Sequence, residues 1–137
     1  MVKEIRVVKA LIRYKDKYLL LKKTEDMFFP ENIGKWECVG GIIEEGETSQ
    51  QTIIEEVKGE TNLKFRIIKK LPTIRMTDEN YDSNCDVYLL EADTDKVTLS
   101  SEHSDYSWVK PEDVKNLDLV LYASLLLEYF NNPEKYL

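Results

Sequence analysis

The run Gly41-Ile-Ile-Glu-Glu-Gly-Glu47, with Thr48 and then Glu56-Val57-Lys58-Gly59-Glu60 behind it, constrains this chain more than any other segment. It is a glycine turn with a carboxylate at its exit, followed by a helical stretch carrying two more carboxylates four residues apart. Thr48 with Gln51 three residues on has the form of a capping box, which starts the helix near residue 49 and carries it to about residue 60. Residues i and i+4 lie one above the other on a helix face, so Glu56 and Glu60 point at one spot. Like charges at that spacing destabilise an isolated helix. A cation offsets the repulsion, and a hard divalent metal prefers carboxylate and carbonyl oxygens.

The remaining pattern predicts one mixed α/β domain over residues 1–137, long enough to bury its own core. Residues 4–14 and 17–23 have the composition of a hairpin turning at Lys15-Asp16-Lys17. A short strand over 36–39 leads into the glycine turn. Strands follow near 63–75 and 84–92 around the polar loop 77–83, and Tyr106–Val109 forms a last short strand. Pro111 suits the first turn of a short helix. A closing helix over about 119–130 is apolar nearly all round, which predicts burial against the sheet or a partner chain and leaves a homodimer open.

Composition removes several function classes. No apolar run approaches the length of a membrane span, and the charged start Met-Val-Lys-Glu-Ile-Arg does not read as a signal peptide. Cys38 and Cys85 sit in apolar strand-like segments and read as reduced core thiols of a cytoplasmic protein. A formal net charge of −7 argues against binding a nucleic-acid backbone without metal.

The stretch from Gly41 to Leu63 resembles the Nudix box of the Nudix hydrolases. Gly41, Glu47, Glu56, Val57, Glu60 and Leu63 match its defined positions, and Gly34–Gly41 resembles the strand leading into it. Three positions depart: Glu55 stands for the family's Arg, Gly59 for the first Glu of its pair, and Asn62 for Gly. Asn62 is the mild change, because Asn follows Gly in tolerance of a left-handed helix end. Gly59 deletes a carboxylate and costs the helix roughly 1 kcal/mol against Ala. Glu55 exchanges a cation beside the cluster for an anion.

The resemblance implies an α/β/α sandwich with a mixed central sheet, on which the box helix and the C-terminal helix pack. It also implies Mg²⁺-dependent hydrolysis, with Mn²⁺ as a substitute, of a nucleoside diphosphate linked to another group. Phosphoryl transfer of this kind rests on positioned cations and an oriented water. Carried over, the family's metal ligands are Glu56, Glu60 and the carbonyl of Gly40, with Gly41 and Glu47 bracing the loop. Glu102 lies six residues before Trp108, where many members of the family place a further ligand or base. Lys23, and with it Lys22, ends a strand where the family often meets substrate phosphate; Lys9 is a weaker version of the same idea. Phe28 and Phe29 offer an aromatic face for a base. His103, the only histidine, reads as an incidental loop residue, and Trp36 as core.

Nucleoside triphosphates, dinucleoside polyphosphates, nucleotide sugars and ADP-ribose all satisfy this reading, since the loops that choose among them lie outside the motif. Glu55 and Gly59 keep a second class open: a Nudix-fold module that binds a nucleotide or a protein without turning it over.

Overall fold

The computed structural model describes residues 3–26, 29–77 and 79–137. Strand β1 (Lys3–Tyr14) organises the sheet, and its six consecutive buried residues from Val7 to Ile12 show that both of its faces are covered. Alternation sends Val7 and Leu11 into one core cluster and Val8, Ala10 and Ile12 into the other. Lys9 falls between Val7 and Leu11 in this run, and it is buried.

Strand β2 (Lys17–Lys23) closes a hairpin on β1 through the pairs Arg13↔Tyr18 and Tyr14↔Lys17, with Lys15 at positive φ in the turn. The remaining strands are β3 (Trp36–Glu37), β4 (Val39–Ile42), β5 (Phe65–Thr77), β6 (Tyr81–Ala92) and β7 (His103–Val109). They give the order β3-β2-β1-β6-β5, with β4 also pairing β1 and β7 also pairing β2. The β1–β6 ladder is parallel and the other pairings are antiparallel, so the sheet is mixed.

Helix α1 (Ser49–Thr61) covers one face, burying Ile53 and Val57 against the cluster of Val8, Ala10 and Ile12. Its start is the expected capping box: Thr48 Oγ1 accepts from Gln51 N at 3.1 Å, and Gln51 Oε1 accepts from Thr48 N at 2.9 Å. Its end is Asn62 in the left-handed conformation at φ 55°, whose N–H donates to Lys58 O. On the other face Leu126, Tyr129 and Phe130 join Val7, Leu11 and Leu20, so the closing segment fills this chain's own core. No helix among the described residues is long and apolar enough to cross a membrane.

Several boundaries differ from the sequence reading: the strand expected over 36–39 is two strands with different partners, the one expected near 63–75 runs from Phe65 to Thr77, and three further differences have a traceable cause. The closing helix starts later and is broken, into α2 (Leu121–Leu125), α3 (Leu127–Asn131) and a terminal turn, α4 (Pro133–Tyr136). Its expected first residues are held elsewhere, because Trp36 N donates to Asp118 O and Val120 N to Trp36 O. Nor is it buried all round, since Leu121 is 61% exposed. Strand β6 begins at Tyr81 inside the expected polar loop, where Lys3↔Tyr81 and Glu4↔Asp82 extend the ladder and Arg75 pairs with Asp82. Strand β7 begins at His103, which pairs with Lys23 past an extra residue, Ser104, in β7.

The capping box anchors the helix that carries Glu56 and Glu60. Thr48→Ala is expected to lower stability by about 1 kcal/mol in chemical denaturation, with Thr48→Ser close to wild type. An unchanged denaturation midpoint in the alanine variant would contradict the role given to this cap.

Candidate active site

Helix α1 lies so close to β4 that a side chain at Gly41 would collide with it, while one at Gly40 would collide with β1. A Cβ on Gly41 would sit 2.8 Å from a Glu56 carboxylate oxygen, and one on Gly40 would sit 2.0 Å from Val8 O. Glycine at 41 lets the Glu56 carboxylate come down onto the strand backbone, and glycine at 40 lets β4 lie close against β1. Gly40 N donates to Glu60 Oε2 at 3.3 Å. Glu47 Oε1 accepts from Glu44 N and Thr52 Oγ1, tying the glycine loop to the first turn of α1.

These residues border a cleft of about 1030 Å³ that is also lined by Lys9, Lys23, Phe29, Glu37, Tyr81, Glu102 and His103. Glu60 is 5% exposed. Burial pushes its pKa up from 4.5 to about 8; Lys9 opposes the rise, while Glu56, Glu37 and Glu102 add to it. Glu56, half-buried, is raised too, first by burial and then by the charge of Glu102. Glu102 arrives from the segment before β7, which is held against the end of β2 by Thr24 N donating to Glu102 O and Thr24 Oγ1 to Ser101 O.

One carboxylate oxygen of Glu60, one of Glu102 and a ring nitrogen of His103 lie within 4.8 Å of one another. Glu56 borders the same cleft, with its carboxylate against Gly41 and outside that group of three. Two acids from distant segments, a glycine backbone that a side chain would block and a raised carboxyl pKa together fit a divalent cation.

The sequence reading missed the residue on which this side of the cleft is built. Glu37 is buried, with Lys9 Nζ 3.0 Å from Oε1, and with His103 Nε2 at 2.9 Å and Lys23 Nζ at 3.5 Å from Oε2. Burial alone would raise its pKa, but Lys9, the His103 hydrogen bond and Lys23 outweigh it and hold the carboxylate ionised, well below the usual range. Lys9 also donates to Cys38 O at 3.3 Å. Burial would depress its ammonium, yet Glu37 and Glu60 hold it above the ordinary range. Lys9 is therefore the partner of a buried acid, and His103, expected to be incidental, is a buried member of the same network. A lysine and a glutamate each isolated among apolar strand residues were the available signal.

Lys23 lines the cleft with its ammonium shared between Asp26, at 3.1 Å, and Glu37. Lys22 stands over the Trp36 ring, and Trp36 packs on the core, partly buried. Phe29 is 40% exposed and meets Tyr81 edge-on, with ring centroids 6.4 Å apart. Phe28 lies outside the described residues. Gly59 and Glu55 are both exposed on α1, and no atom outside the helix backbone lies within 4 Å of a Cβ built at Gly59. The thiols are buried and free, and burial pushes Cys38 up to about 12 and Cys85 to about 11.

The profile of the NUDIX domain matches residues 3–130. The chain belongs to this family. It is 33% identical over 126 residues to nucleoside triphosphatase NudI of Klebsiella pneumoniae, covering 82% of this chain and 86% of that protein. It is 29% identical over 125 residues to NudI of Escherichia fergusonii, with the same coverage. Among solved structures, the MutT protein of Methanosarcina mazei superposes with a TM-score of 0.82 at 28% identity, covering 98% of this chain and 97% of that one. A Caenorhabditis elegans Ap4A hydrolase shares the fold, with a TM-score of 0.74 at 21% identity over 96% of this chain and 98% of the other.

A Nudix hydrolase with Glu60 buried beside other acids should respond to pH in a definite direction. Folded Glu60 keeps its proton up to about pH 8, whereas the unfolded chain loses it near 4.5, so across that window the folded state holds the extra proton. Raising pH between those values should therefore destabilise the metal-free protein. Glu37 has the opposite sign, and its contribution is lost only in acid. Thermal melts of metal-free Glu60→Gln are expected to show a shallower fall in Tm over this range than wild type. Equal slopes would contradict the burial of this carboxylate.

Proposed function

We propose that the cleft hydrolyses a phosphoanhydride bond of a nucleoside triphosphate in a Mg²⁺-dependent reaction, with Mn²⁺ as a substitute. The observation that carries this reading is the convergence of Glu60 and Glu102 beside Gly40 and Glu56 at the edge of an open cleft. The likeness to nucleoside triphosphatases supports the substrate class. Glu56, Glu60, Glu102 and the Gly40 carbonyl would hold the cation. When bound, it supplies the positive charge that the phosphate oxygens need in this acidic cleft.

The chain's own residues do the rest. Glu102, exposed at the cleft and held by its backbone to Thr24, orients the attacking water and accepts its proton as the new P–O bond forms. The P–O bond to the leaving phosphate or pyrophosphate breaks, and the group leaves with the electron pair. Lys23 turns from Asp26 toward the phosphates, and the exposed ring of Phe29, backed by Tyr81, packs against the base. Gly41 and Glu47 keep the glycine loop at the distance these contacts need. Buried, free thiols at Cys38 and Cys85 support a reducing, cytoplasmic setting.

The test is release of phosphate or pyrophosphate from a panel of nucleoside triphosphates with Mg²⁺ or Mn²⁺. Metal-dependent release is expected, lowered by about 10²-fold in Glu102→Gln with little change in KM, the usual scale for losing a general base. Exposed Gly59, where the family has a carboxylate, favours the second reading. Saturable nucleotide binding with no release under any metal would make the protein a binding module.

A further inference from the structure

We propose that His103 is itself a ligand of the cation site, binding through Nδ1. The inference rests on the cation site of the proposed function and specifies its chemistry. His103 is 6% exposed, and its Nδ1 is a fully buried side-chain nitrogen with no hydrogen-bond partner among the described residues. Buried polar atoms in folded proteins are almost always satisfied, so an orphan of this kind asks for an explanation. A histidine that merely filled space would be expected to place both ring nitrogens on protein partners.

The other nitrogen is already held by the protein. Nε2 lies 2.9 Å from Glu37 Oε2, and the second oxygen of the same carboxylate takes Lys9 at 3.0 Å. An ionised carboxylate only accepts hydrogen bonds, so Nε2 carries a hydrogen, and Nδ1 is the nitrogen whose lone pair a cation would take. A carboxylate holding one ring N–H while the other nitrogen binds metal is the usual support of a metal-bound histidine. The orientation is fixed by the chain as well, because His103 pairs with Lys23 in the β2–β7 ladder. A ring nitrogen of His103 and carboxylate oxygens of Glu60 and Glu102 already stand within 4.8 Å of one another.

The expected preference follows from the donor set. Carboxylates, a backbone carbonyl and water suit Mg²⁺, whereas an imidazole nitrogen raises affinity along the series from Mn²⁺ toward Co²⁺, Ni²⁺ and Zn²⁺. The site should therefore bind Co²⁺ or Mn²⁺ more tightly than an all-oxygen site would and still accept Mg²⁺, with Glu37 as the positioning residue behind the histidine.

Because His103 is the only histidine, a tag-free full chain gives an unambiguous label. Mn²⁺ is bound to protein carrying either natural or ¹⁵N-labelled histidine, and pulsed EPR reads the nuclei coupled to the ion. A directly coordinated nitrogen that changes with the label is the expected result, and it needs no variant to fold. Titration calorimetry supplies the second measurement: His103→Gln should lose about 10–100-fold in Co²⁺ affinity and distinctly less in Mg²⁺ affinity, since the Gln amide still offers an oxygen. Bound Mn²⁺ with oxygen ligands alone would overturn the inference while leaving the carboxylate site of the proposed function standing. Unchanged Co²⁺ affinity in folded His103→Gln would overturn it as well. Failure of wild type to bind any of these ions would overturn both readings.

Discussion

The cleft depends on the ion pair between Lys9 and Glu37, 3.0 Å apart and buried on both sides. Taking two charges out of water is costly, and a buried pair is retained only with good geometry and its remaining donors and acceptors satisfied. Here Glu37 spends its second oxygen on His103 and Lys23, and Lys9 spends a further hydrogen on the Cys38 carbonyl. The pair fixes the ionised state of Glu37, which in turn fixes the hydrogen on His103. Lys9 also opposes the raised pKa of Glu60 and Glu56, so one strand residue tempers both helix carboxylates.

Two buried glutamates thus meet opposite fates a short distance apart. Glu37 has three nitrogen partners and stays ionised. Glu60 has a single backbone donor at 3.3 Å and more acid than base around it, so it holds a proton near neutral pH. A network of paired charges next to a carboxyl pushed toward its neutral form separates support from site. Gly41 brings the helix in, because a side chain there would hold Glu56 and α1 away from the strand.

Much of this was legible in the sequence where chemistry is local. The hairpin over Lys3–Lys23, the capping box at Thr48 and the left-handed end at Asn62 follow from neighbours within a few residues. The Gly41–Leu63 pattern pointed to the family that the NUDIX domain match shows. What escaped was set by distant pairings. Strand β6 begins at Tyr81 because β1 lies beside it, and the closing helix starts at Leu121 because Trp36 captures the residues before it. Glu37 and His103 were unreadable for the same reason, as they meet only after β3 and β7 have both paired with β2. Local pattern shows that Lys9 and Glu37 are odd residues in apolar strands; only topology shows that they belong to each other.

If these acids hold a cation, as proposed, Glu60 must give up its proton when the ion binds. Calorimetry of Mn²⁺ binding at pH 7 in buffers of differing ionisation enthalpy tests it most directly, because the buffer takes up whatever proton the metal displaces. With Glu60 pushed up to about 8, most of one proton should be released per site on binding, and almost none from Glu60→Gln. Metal binding without proton release in wild type, or equal release in both proteins, would contradict the site.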